Sequence, residues 1–144
     1  MKWIVTANTN NCRIYEYQED ALNLLKEISR PENKLKDSEL FTDKPGRYNS
    51  SYSKGGGGVY DPHTEIEDVQ DNNFSREIAL ELNEARNKNL YKELVIVMPA
   101  QIEGLFSKHL NKNATDLIKL KIQKNLMHLS DKELFDYLHE YKKL

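Results

Sequence analysis

Apolar residues recur along this chain at two spacings, every second residue and every third or fourth, and each spacing predicts its own element. Lys2 to Ala7 is β-branched and aromatic, which favours a strand. Asn8-Thr9-Asn10-Asn11 has turn chemistry, because asparagine tolerates left-handed backbone. Cys12 to Tyr17 alternates apolar with polar and reads as a second strand, so the two make a hairpin. After polar Gln18-Glu19-Asp20, Leu24 to Ser29 predicts a third antiparallel strand, although Ala21 to Glu27 has some helical character. Pro31 closes it, since the residue before a proline is pushed out of the helical region. Leu40-Phe41 reads as a short edge strand.

The periodicity then stops. Residues 42–73 hold glycine, serine and charge, with only Tyr48, Tyr52, Val59, Tyr60 and Ile66 as bulk, and are expected to be a loop that is mobile or ordered only by a partner. Asp71-Asn72-Asn73 supplies capping side chains for a helix of about 17 residues. Phe74, Ile78, Leu82 and Ala85 form its inner stripe, with Leu90 near the end, and Glu77, Glu81, Glu84 and Lys88 its outer face. Leu94-Val95-Ile96-Val97-Met98 is a continuous apolar run, the pattern of a strand covered on both faces, and Pro99 ends it. Ile102, Leu105, Phe106 and Leu110 mark a second amphipathic helix. Thr115 to Gln123 alternates, placing Ile118, Leu120 and Ile122 on one face and Lys119, Lys121 and Gln123 on the other. Ser130 and Glu133 form a capping box before a last helix whose core stripe is Leu134, Leu138 and Tyr141. The order β-β-β-loop-α-β-α-β-α predicts a single α/β domain over residues 1–144. It combines N-terminal antiparallel strands with a βαβ crossover in one mixed sheet under packed helices. The hairpin leaves a long edge able to pair with another subunit.

Composition narrows the function. A length of 144 residues suits one domain and sustains a core without disulfides or metals. The net charge of −2 argues against nucleic-acid binding by the whole surface and leaves only local patches. The single cysteine, Cys12, excludes an internal disulfide and reads as a small packing residue. Trp3-Ile4-Val5 is too short for a signal-peptide core, and no run approaches the roughly 20 apolar residues of a membrane span. The expectation is a cytoplasmic protein without a membrane partner.

Candidate chemistry is sparse. Gly55-Gly56-Gly57-Gly58 can act only through its backbone, as a hinge or as a row of N–H groups cradling an anion. It lacks the spacing of a nucleotide-binding glycine loop. Lys44, Arg47 and Lys54 mixed with Tyr48, Tyr52 and Tyr60 suit phosphates and unpaired bases, although Asp61, Glu65, Glu67, Asp68 and Asp71 stand nearby. Lys108, Lys112, Lys119, Lys121 and Lys124 face only Asp116 in their segment. Lys119 and Lys121 should project together from one side of a strand, either as a contact surface or as protection of an edge. His63, His109, His128 and His139 have no metal-ligand spacing, and neither a nucleophile elbow nor a histidine partner for Cys12 is evident. No cofactor is expected.

Several segments together resemble the bacterial host attachment protein family, which belongs with domains similar to the middle domain of archaeo-eukaryotic class I release factors and Pelota. They are Lys2-Trp3-Ile4-Val5 with Ala7-Asn8, Arg13-Ile14-Tyr15-Glu16, and Asp43-Lys44-Pro45-Gly46-Arg47. Phe74-Ser75-Arg76-Glu77-Ile78-Ala79, the strand Leu94 to Pro99, and Gly104-Leu105 complete the set. The resemblance covers nearly the whole chain. It implies a release-factor middle-domain-like fold and a translation-associated role touching tRNA or ribosomal RNA. The loop that corresponds holds Gly55 to Gly58, and with the basic-aromatic Lys44, Arg47, Tyr52 and Lys54 and the separate lysine pair Lys119 and Lys121 these are the expected contacts. Release factors carry Gly-Gly-Gln in this loop. Here Val59-Tyr60 follows the glycines and no glutamine does, so the resemblance implies a noncatalytic domain. The chain also has Phe106-Ser107-Lys108 where an arginine often follows the Gly-Leu helix start. The other readings are a protein-interaction or stress adaptor linked indirectly to host attachment, and a hydrolase acting on an RNA-linked ester.

Overall fold

A computed structural model describes residues 1–30 and 62–144, with side chains from residue 68 in the second stretch, and builds them on one five-stranded sheet. Strands β1 (Lys2–Ala7), β2 (Asn11–Tyr17) and β3 (Leu22–Ser29) are consecutive and antiparallel. Helix α1 (Pro62–Asn87) leads to β4 (Glu93–Val97), α2 (Ala100–His109), short α3 (Lys112–Thr115) and β5 (Ile118–Ile122). Helix α4 (Asp131–Asp136) runs into a π-helical turn over Tyr137–Tyr141. The sheet order is β3-β2-β1-β4-β5, with β4 parallel to both β1 and β5. This is the mixed α/β sheet that the element order predicts.

Local chemistry fixes the hairpin. The Asn8 side-chain oxygen accepts the backbone N–H groups of Asn10 (2.8 Å) and Asn11 (2.9 Å), closing the turn. β1 and β4 lie inside the sheet and are covered on both faces. One face packs Trp3, Val5, Ile14, Leu94 and Ile96 against Phe74, Ile78 and Leu82 of α1 and Ile102 and Phe106 of α2. The other packs Ile4, Tyr15, Val95 and Val97 against Leu134 and Leu138. The Ser130–Glu133 capping box forms as expected, with Glu133 N–H to Ser130 Oγ at 3.1 Å and Ser130 N–H to Glu133 Oε1 at 2.8 Å.

Four expectations change. Helix α1 begins at Pro62, so residues 62–73 are helical and the loop expected over 42–73 ends earlier. Proline suits a first helical turn, whose N–H groups have no partner in the helix. Asp71 therefore lies inside the helix and caps nothing; its carboxylate serves Arg30 and Gln101 instead. Second, Thr115 belongs to α3, which Asn111 caps through Ala114 N–H (2.9 Å), so the last strand starts only at Ile118. Third, β5 does not keep one apolar face. The register against β4 shifts between Leu94 and Val95, leaving Lys119 without a partner residue. Ile118 thus packs with the α1–α2 layer while Leu120 and Ile122 pack with the α4 layer. Fourth, Tyr141 is 74 % exposed rather than core, because the π-helical turn after Leu138 changes the residue spacing on which the stripe was counted. The edge strand expected at Leu40-Phe41 lies outside the described residues.

Candidate functional site

Lys44, Arg47, Tyr52, Lys54 and Gly55 to Gly58 all lie in residues 31–61, outside the described residues. The structure does describe what stands on either side of them. Arg30 follows β3 directly, and its backbone N–H donates to Asn10 O at 3.0 Å. Its guanidinium is buried and donates to Thr9 O (2.8 Å), Asp71 Oδ1 (2.6 Å) and Gln70 Oε1 (3.3 Å). Asp71 Oδ2 accepts from Gln101 Nε2 at 2.8 Å. One cluster therefore ties together the end of β3, the turn after β1, helix α1 and the first turn of α2. It sits at the carboxyl ends of β1 and β4, the end of an α/β sheet from which functional loops commonly project. Asp71 lies nine residues into α1, so the helix extends about 13 Å from this clasp toward its N-terminus. Nothing in the periodicity marks Arg30 or Gln101, because their partner Asp71 is 41 and 30 residues away.

The two described lysines of the candidate set separate. Lys119 Nζ approaches Glu93 Oε1 at 3.9 Å, whereas Lys121 Nζ meets Glu103 Oε2 at 3.1 Å. The shifted register and these different carboxylates replace the shared projection that simple alternation implies. Glu103 is buried on α2 and also accepts from Ser107 Oγ (2.5 Å) and Gln123 Nε2 (3.1 Å). Burial pushes its pKa up, but hydrogen bonds from Ser107, Lys121 and Gln123 and the charge of Lys121 outweigh this and leave it below the usual value. A carboxylate lowered in the folded state adds stability that is full above its unfolded pKa of about 4.3 and is lost as pH falls through the folded value. Replacing Glu103 with Gln is thus expected to destabilise the protein at neutral pH, with the gap to wild type closing below about pH 4; urea unfolding at several pH values measures it.

Cys12, His109 and His139 are engaged structurally. Cys12 is fully buried in the α1–α2 layer, and burial, with the fields of Glu77, Glu81 and Glu27, pushes its thiol far up, away from reactivity. His109 Nε2 lies 3.0 Å from Asn72 Oδ1, joining α2 to α1. The Tyr17 hydroxyl donates to Leu144 O at 2.9 Å, so at 3.0 Å it accepts from His139 Nδ1, whose ring stacks on Phe135. His63 lies in the first turn of α1, where only the backbone is described. Among the described residues no group of three His, Cys, Asp or Glu side chains could hold a metal ion.

Two helical layers on a five-stranded mixed sheet define an α/β domain in which Arg30, after edge strand β3, is clasped to α1 at the end of the sheet where β1 and β4 finish. The chain belongs to the family described as "Protein required for attachment to host cells", whose model matches residues 3–138. By sequence comparison the chain matches no curated protein. Among solved structures it is similar to an "Archaeal protein" at 13% identity and TM-score 0.49. It is likewise similar to an archaeal translation termination factor, aRF1, at 12% identity and TM-score 0.49. Each similarity covers 99% of this chain and 34% of the other, so the chain spans about a third of their length. No described helix is long and apolar enough to cross a membrane.

Proposed function

We propose that the chain is a noncatalytic translation-associated domain that contacts tRNA or ribosomal RNA through the basic, glycine-bearing part of residues 31–61. The observation that carries this reading is the buried Arg30–Asp71 clasp, at 2.6 Å, which fixes to one end of the sheet the strand and the helix flanking that segment. A segment held at both flanks presents Lys44, Arg47 and Lys54 from a rigid base, which lowers the ordering entropy lost when they meet phosphate. The sequence resemblance supplies the class of partner, and the missing glutamine supplies the absence of catalysis. Lys119 and Lys121, each beside a carboxylate, are secondary contacts.

Ribosome co-sedimentation from lysate at low and high salt tests this. The wild type is expected to pellet with ribosomes at low salt and to dissociate as salt rises, because phosphate contacts release counterions. The Lys44→Ala, Arg47→Ala, Lys54→Ala triple variant is expected to lose the association, and Lys119→Ala with Lys121→Ala to keep most of it. Absence of association at every salt concentration overturns the proposal.

A further inference from the structure

We propose that the free edge of β3 accepts an extended peptide segment of alternating basic and apolar residues, which pairs with it as an added strand. This inference is independent of the RNA reading. β3 ends the sheet order, and among the described residues no strand pairs with its outer side. Both edge strands carry one register irregularity, but the opposite edge, β5, is only five residues long and is guarded by Lys119 and Lys121. β3 is eight residues long and exposes Leu24 (45 %) and Leu25 (42 %) at its centre. Its own lysine is a weak guard, because the Lys26 charge is already paired at the surface with Glu81 Oε1 at 2.8 Å.

The two faces of this edge differ in chemistry. Pairing with β2 puts Lys26 and Ile28 on the α1 side of the sheet, opposite Ile14 and Cys12. Leu24 and Leu22, opposite Tyr15 and Tyr17, lie on the α4 side. On the α1 side, Glu77, Glu81 and Glu84 fall on one helix face by their spacing. The Lys26 ammonium is stabilised first by its hydrogen bond to Glu81, against some desolvation, and then by the fields of Glu81, Glu84 and Glu77. Glu84 also meets Lys88 (3.2 Å), whereas Glu77 pairs with no cation among the described residues. An added strand lies about 4.8 Å beyond β3, so its α1-side residues arrive beside Lys26 and within the field of these carboxylates. Three carboxylates against Lys26 and Lys88 leave that face net acidic through Glu77, so basic side chains suit it in a register that keeps them from standing directly opposite Lys26, and apolar ones suit the face with Leu24. A second copy of β3 would bring its own glutamate stripe toward this one, and like charge disfavours that pairing.

The probe is the acetylated, amidated heptapeptide Lys-Val-Lys-Val-Lys-Val-Lys, titrated into the full chain and followed by amide NMR shifts. Saturable shifts confined to residues 22–29 and 77–84 are expected. Glu77→Lys with Glu84→Lys is expected to weaken binding about ten-fold, the size of two exposed pairs lost and reversed, with the fold unchanged by circular dichroism. A peptide with alternate N-methylated backbone is expected not to bind, since main-chain pairing provides the affinity. The proposal is overturned by equal binding of the Glu-Val counterpart, by shifts elsewhere, or by no shift at about 1 mM peptide. It is equally overturned if the free protein sediments as a dimer that Leu25→Lys dissociates, or if the β3 amides are already protected by residues 31–61.

Discussion

Asp71→Ala is expected to lower the unfolding free energy by about 3 kcal/mol, because it strands a buried guanidinium. Arg30 and Asp71 side chains are only 9% and 7% exposed, and their 2.6 Å contact is sealed from solvent on both sides. The Arg30 bonds to Thr9 O and Gln70 persist in the variant and satisfy N–H groups, but neither carries the opposite charge. Gln101 loses its acceptor as well. Urea unfolding followed by circular dichroism measures the loss, and Arg30→Met with Asp71→Leu is expected to recover much of it, since a buried pair replaced by apolar groups costs far less than a broken one. A loss below about 1 kcal/mol would mean that water enters and screens the pair, removing the rigid base on which the proposed RNA contact depends. Hydrogen exchange adds a local readout: amides next to Arg30 and Asp71 should lose protection before those of β4.

The second large effect is expected in the core beneath α1. Phe74→Ala should cost about 4 kcal/mol, the sum of lost transfer energy and an unfilled cavity. Phe74 is 1 % exposed and belongs to the layer holding Trp3, Val5, Ile96 and Phe106. It sits one turn from Asp71 on a helix that spans the sheet, so nearby backbone cannot collapse readily into the space. The urea midpoint should fall with an unchanged m-value, and Phe74→Leu, which refills most of the volume, should fall less. An Ala variant as stable as wild type would mean that this part of α1 does not rest on the sheet.

Much of the fold was legible because its determinants are local. The Asn8 turn, the alternation of β2 and the Ser130–Glu133 box each act within a few residues. The β4 run is a strong signal because nothing polar interrupts it, and all of Leu94 to Val97 is buried. The start of α1 was not legible. Asp71-Asn72-Asn73 carries the side chains of a cap, and the same residues serve equally well inside a helix when distant groups use them. Asp71 found Arg30 and Gln101, and Asn72 found His109. The candidate RNA contacts Lys44, Arg47, Tyr52 and Lys54 came from composition and resemblance, whereas Arg30 carries no mark in sequence at all.

The sequence by itself determined the five described strands, the main helices, the mixed α/β class and the family, because hydrophobic period and turn chemistry are properties of neighbours along the chain. Only the tertiary structure decided which side chains share a face or a partner. Irregular register in β3 and β5 leaves Leu25 and Lys119 without a cross-strand residue, and in β5 it sends Ile118 and Leu120 to opposite layers. The π-helical turn turned Tyr141 outward, and burial joined Arg30 to Asp71. Each of these outcomes depends on strands and helices meeting across long separations, where a shift of one residue exchanges inside for outside and no local pattern records it.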